Sequence, residues 1–110
     1  MPKESLGELE HQVLLALLRQ GDEGHTVTVV QELEKRTGRE LASAAVYITL
    51  RRLEEKGLVA STMREADVET GGRERRYFAV TSTGLERLRE ARRAYLNLWN
   101  GLDLAAEQPG

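Results

Sequence analysis

Cysteine is absent from the 110-residue chain. With it go disulfide frameworks, thiolate zinc sites and cysteine nucleophiles, and the composition suits a reducing compartment. Histidine is scarce: only His11 and His25 occur. Glu8 lies three residues before His11, but one such pair is too little for a metal site, so both histidines read as surface or packing residues and no metal or cofactor is expected. No apolar run approaches the roughly 18 to 20 residues of a membrane span. The opening Met1-Pro2-Lys3-Glu4-Ser5 lacks the apolar stretch of a secretory signal. The expected location is cytoplasmic, with no membrane partner. A basic excess is missing too, since 16 Lys and Arg stand against 18 Asp and Glu for a net charge of -2, which argues against a non-specific nucleic-acid coat. Binding to a polyanion must come from a local patch. Residues 41–80, with seven basic and six acidic side chains, lean that way only weakly. Catalytic pairings are also lacking: Glu54 and Glu55 are adjacent on a helix and point apart, and no glycine-rich loop follows a strand. An enzyme is not expected.

What is present is 40% hydrophobic and 31% charged residues, the balance of one domain with its own core. Leu6, Leu9, Val13, Leu14, Leu17 and Leu18 recur at three- and four-residue steps, which predicts an amphipathic helix capped by Ser5 with Glu8 and stopped by Gly21 and Gly24. A second, shorter helix runs from Thr26 to Arg36, with Val27, Val30 and Leu33 as its stripe and Val29 beside them. Its valines are weak helix formers, so packing must hold it. Ser43 can cap a third helix that stops at Gly57, with Val46, Leu50 and Leu53 facing inward. The opposite arc carries Ser43, Ala44, Tyr47, Thr49, Arg51 and Arg52, short, polar, aromatic and basic side chains suited to contact. Leu58 to Arg64 and Arg75 to Val80 read as a hairpin joined by a long polar loop ending in Gly71-Gly72. Thr81 can cap a last helix in which Leu85, Leu88, Tyr95, Trp99 and Leu102 share a stripe, with Arg92 in its one polar slot. The chain shows no internal repeat.

Helix, helix, helix, hairpin, helix in about one hundred residues is the layout of a winged helix-turn-helix, a mainly α fold with a small β-hairpin. The residues add a resemblance. Leu6-Gly7-Glu8-Leu9-Glu10, Val13 to Leu18, Glu34 to Arg39, Ala45-Val46-Tyr47, Leu50, Arg52 to Val59, and Gly71-Gly72-Arg73 through Arg76-Tyr77-Phe78 into Val80-Thr81 together resemble the PadR family of bacterial transcriptional regulators. The likeness covers roughly residues 6–90 and is most specific from the third helix into the wing. It implies a homodimeric DNA-binding regulator, usually a repressor, released from its operator by a small molecule or another cue. The length resembles members with a single C-terminal dimerisation helix. Two departures stand out: His25-Thr26 replaces a frequent Tyr-Gly pair, and Ile48 stands where a proline often follows the third-helix tyrosine. The expected division is residues 1–80 as the winged helix-turn-helix, 81–104 as the dimerisation helix in the same compact unit, and 105–110 as a frayed tail.

Each candidate contact has a plainer counterpart. Ser43 can donate to phosphate beside the free amides of its helix end, or simply cap the helix. Tyr47, by carry-over from the family's Val-Tyr pair, presents its hydroxyl to the DNA backbone, or packs against the wing. Thr49 and Arg51 can reach base edges or phosphates, or Arg51 can pair with Glu54 or Glu55 on a solvated face. Arg73 and Arg75, set by strand alternation on the face opposite Glu74 and Arg76, can approach the minor groove, or form an ordinary charged hairpin. Glu65, Asp67 and Glu69 in the wing loop would repel phosphate. Tyr95 and Trp99 can pack in a dimer interface with Leu85, Leu88 and Leu102, or two symmetry-related tryptophans can bound a gap that stacks a small aromatic ligand. The rival class is a winged-helix module that binds a protein and no DNA, favoured by the near-neutral charge and the acidic wing loop.

Overall fold

The computed structural model describes residues 5–65 and 73–105. In chain order it contains α1 (Glu8–Gln20), α2 (Thr26–Thr37), α3 (Ser43–Glu55), β1 (Val59–Glu65), β2 (Glu74–Val80) and α4 (Ser82–Trp99). The expected order of elements is present throughout. Gly71-Gly72, Asp67, Glu69 and the tail beyond Ala105 lie outside the described residues.

Helix starts differ from the sequence expectation at two of four places. Gly7, not Ser5, precedes α1, and the Glu10 carboxylate three residues on accepts the Gly7 N–H at 2.9 Å. A glycine has no side chain to cap with, so the acid one turn in satisfies the helix entry instead. Ala42, not Ser43, is the cap residue of α3, which leaves Ser43 as its first helical residue with no capping hydrogen bond from Ala42. Thr81 does cap α4, its Oγ1 accepting the Gly84 N–H at 3.0 Å.

The core joins Val13, Leu14 and Leu17 of α1, Val29, Val30 and Leu33 of α2, Val46, Leu50 and Leu53 of α3, Val59 of β1, Phe78 of β2 and Leu88 of α4. Four expected stripe members fall elsewhere. Leu18 and Val27 are about half exposed, because each lies at the edge of its helix's inward arc. Leu88 is buried within its own chain, so it belongs to the core and not to an intermolecular stripe. The last helix also ends at Trp99, and Leu102 follows it in a turn after Gly101, whose φ of +84° suits glycine alone. That turn takes Leu102 off the helical register.

β1 and β2 pair antiparallel, with Ser61 opposite Phe78 and Arg64 opposite Arg75. The loop before α2 adds a bridge to the free edge of β2: the Phe78 N–H donates to the Gly24 carbonyl at 2.8 Å. A Cβ on Gly24 would sit 2.6 Å from Leu17 Cδ2, so a larger residue here would have to displace the Leu17 side chain. At the other end, Thr81 donates through Oγ1 to the Gly57 carbonyl and through N–H to the Leu58 carbonyl, at 2.7 and 3.0 Å. The turn after α3 and the entry to α4 are thus one hydrogen-bonded joint.

Candidate nucleic-acid interface

With Val46, Leu50 and Leu53 buried, the outward surface of α3 is set by helical spacing. Ser43, Ala44, Tyr47, Ile48 and Arg52 are exposed there, and Arg51 is half-buried. Thr49 is corrected to the inner face: it is 5% exposed, and its hydroxyl donates to the Ala45 carbonyl at 2.8 Å. A β-branched threonine so placed satisfies its own oxygen within the helix and has none left for a groove. Ile48, 56% exposed, was the outward residue that sequence reasoning passed over. Helical phase alone could have found it, four residues after Ala44 and three before Arg51.

Arg51 Nε lies 3.4 Å from Glu54 Oε1, the pairing its plainer reading anticipated. Glu54 is shared. Its other oxygen accepts from the Ser61 hydroxyl, which in turn accepts from Arg76 Nη1 at 2.8 Å. One carboxylate therefore links the α3 surface to both strands of the wing. Charge-assisted bonds of this kind fix side-chain geometry more than they add stability at a half-exposed site.

The wing's opposite face is organised by arginines. Arg64 and Arg75 are direct cross-strand neighbours, an unfavourable juxtaposition of like charge. Each is drawn to a different partner. The Arg64 guanidinium carbon lies over the Tyr77 ring, 3.6 Å from its centroid, and the guanidinium donates to the Asp22 carbonyl at 2.6 Å. Arg75 Nη1 approaches His25 Nε2 at 3.3 Å, and Tyr77 meets the His25 ring edge-on. Burial, followed by the Arg75 charge, pushes the His25 imidazole below its ordinary range. A guanidinium has only donors, so in this contact the ring nitrogen is the acceptor. Arg75 is consequently half-buried although it lies one residue from the far end of the described strands, while Arg73 is exposed. At the far end of the described strands Glu65 faces Glu74, both exposed.

The second exposed surface is apolar. From Arg92 to Trp99 every α4 residue is exposed, and Tyr95, Leu96, Leu98 and Trp99 leave large apolar side chains uncovered together with Leu102 and Leu104. Leu85 is half-buried near the body. Tyr95 is in contact with α1 through His11, with ring centroids 6.3 Å apart. Leu96 and Leu98 were absent from the expected stripe because they flank it.

Among the described residues there is no group of three or more metal-ligating side chains, and no helix is long and apolar enough to cross a membrane. The sequence profile of the transcriptional regulator PadR-like family matches residues 14–90. The fold is similar to that of a PadR family transcriptional regulator from Eggerthella lenta, at 31% identity and a TM-score of 0.65, covering 81% of this chain and 75% of that one. It is similar also to a PadR-like transcription factor from Bacteroides fragilis (24% identity, TM-score 0.69, 82% of each chain). A PadR-like regulator from Bacillus cereus matches at 23% identity and a TM-score of 0.65, covering 86% of this chain and 93% of that one. No curated protein matches the chain. The chain belongs to the PadR-like family of transcriptional regulators, a non-enzymatic family.

Proposed function

We propose that this PadR-family chain is a cytoplasmic, sequence-specific DNA-binding repressor that acts as a homodimer on a near-palindromic operator. The observation that carries the reading is the accessible surface of α3, where Ser43, Ala44 and Tyr47 are exposed and Arg51 is half-buried while Val46, Leu50 and Leu53 are locked in the core. A helix exposing short and polar side chains on one face while its other face is locked in the core suits the major groove, with the wing beside it. Among the described wing arginines Arg73 is the exposed one and can approach the neighbouring backbone, whereas Arg75 braces the wing against His25.

Dimerisation is proposed through the exposed end of α4. Tyr95, Leu96, Leu98 and Trp99 make a contiguous apolar surface of the kind that marks association. A two-fold axis there brings the two α3 helices to successive major grooves about 34 Å apart. It also sets Trp99 near its symmetry mate, and a small aromatic ligand stacked between the Tyr95 and Trp99 side chains would alter the angle between protomers and so release DNA.

The test is retention of fragmented genomic DNA at physiological salt, followed by sequencing. Enrichment of a two-fold symmetric site supports the reading. Retention of nothing by folded, dimeric protein contradicts it and favours a protein-binding winged helix, the reading to which the exposed Glu65 and Glu74 at the wing's far end lend weight.

A further inference from the structure

The α3 surface has an apolar centre. Ala44 and Ile48 are one turn apart, as are Tyr47 and Arg51, and the four interleave on the outward face. Ile48 is 56% exposed and packs in none of the core described above. An isoleucine is a poorer helix former than the polar residues that usually fill solvent-facing positions, so neither helix propensity nor burial accounts for it. Beside it Ala44 offers only a methyl group. The rim is polar: the Tyr47 side chain is 41% exposed, and the Arg51 guanidinium is held in place by Glu54.

In the major groove the base edges present hydrogen-bonding atoms at every pair, and a methyl group only at thymine C5. An apolar side chain at the centre of a groove-reading surface gains nothing from the hydrogen-bonding atoms and strands them without partners; against a thymine methyl it buries apolar area on both sides. We propose that Ile48, assisted by Ala44, is a specificity-determining residue that reads thymine C5-methyl groups, so that each operator half-site carries thymine beneath it. The inference rests on the DNA-reading function proposed above. Arg51, one turn from Tyr47 and three residues from Ile48, then lies over the adjoining base pair or phosphate.

Thymine and uracil differ only in that methyl, which makes the inference directly testable. Duplexes are first selected from a randomised pool by the full-length chain at physiological salt. The enriched sequence is resynthesised with deoxyuridine in place of one thymine at a time, and each duplex is titrated. Removal of a buried methyl is expected to weaken binding about fourfold at one or two positions in each half-site. Ile48→Ala is expected to bind the thymine and uracil forms equally, whereas Ile48→Val, which keeps a branched apolar tip, retains most of the difference. Gel filtration of both variants confirms folding, since the side chain is outside the core. Equal binding of all thymine and uracil duplexes by the unmodified chain overturns the methyl reading and leaves DNA binding standing. Undiminished discrimination by Ile48→Ala overturns the assignment to Ile48. A pool from which nothing is enriched overturns the DNA reading itself, and the inference with it.

Discussion

Lys56 Nζ lies 2.8 Å from Glu10 Oε2, joining the residue that ends α3 to the first turn of α1. The other Glu10 oxygen holds the Gly7 amide, so one buried carboxylate fixes the start of α1 and the end of the helix proposed to read DNA. Burial alone would push the Glu10 carboxyl up. The Lys56 and Gly7 hydrogen bonds, with the charges of Lys56 and Arg52, outweigh it and hold the group below the ordinary carboxylate range. A depressed folded value contributes stability that is present above the unfolded carboxylate pKa and is lost as pH falls through the folded one. Glu10→Gln should therefore lower stability by about 1–3 kcal/mol at neutral pH. It should also flatten the acid limb of a stability profile below about pH 4. Chemical denaturation across pH checks both, and an unchanged midpoint would show the pair to be idle.

His25 supplies a second pH dependence, in a different window. Its folded pKa is lowered, by burial first and the Arg75 charge second, so the unfolded chain takes up the proton more readily. Stability should be fully present above about pH 6.5 and decline as pH falls from there through the folded value. His25→Gln removes this component from the pH profile of thermal unfolding. Retention of the same slope by that variant would assign the effect to another group.

Gly84 sits where α4 crosses the β1 entry, and a Cβ there would collide with the Leu58 carbonyl oxygen and crowd Val80 Cγ1 at 2.9 Å. The backbone oxygen cannot yield as a flexible side chain would. Gly84→Ala, favourable for a helix in isolation, is expected to destabilise the protein by about 1–3 kcal/mol through overpacking. A rise in melting temperature would contradict the close approach.

Leu88 and Trp99, which share one stripe in the sequence, should behave as opposites. Leu88 is 5% exposed and Trp99 47%. Leu88→Ala is expected to cost about 2–5 kcal/mol of folding stability. Trp99→Ala should keep the fold and weaken self-association by tenfold or more, as loss of an interface anchor does, about 1.4 kcal/mol or above. Sedimentation and circular dichroism on the same samples separate the two outcomes. A Trp99→Ala protein that remains as dimeric as the parent would move the interface away from the end of α4.

Leu88 also shows how far the sequence could be read. Element order, the inward stripe of Val46, Leu50 and Leu53, and the Thr81 cap all followed from periodicity and capping chemistry, because these are local properties. Whether an apolar residue on a stripe meets its own core or a partner is decided by where the helix leaves the body, which no local pattern encodes. The same holds for Thr49, whose inward turn depends on the width of the buried arc. Gly24's bridge to Phe78 joins residues 54 apart in the chain, and Arg75's contact with His25 joins residues 50 apart. The two missed caps have a local cause: Gly7 and Ala42 start helices without a side-chain cap, and only the Glu10 half of a capping pattern marks the entry to α1.

The most direct test of the central claim is a salt series of duplex titrations, comparing the sequence enriched by the chain with a scrambled duplex of the same composition. The account predicts one dimer per enriched duplex and a preference over the scrambled sequence of at least about a thousandfold at physiological salt. It also predicts that affinity falls with salt by roughly 0.9 log unit per phosphate contacted, and that Arg51→Ala lowers affinity while leaving the dimer intact. Equal binding to both duplexes, or none, by protein shown to be folded and dimeric in the same buffer would contradict it.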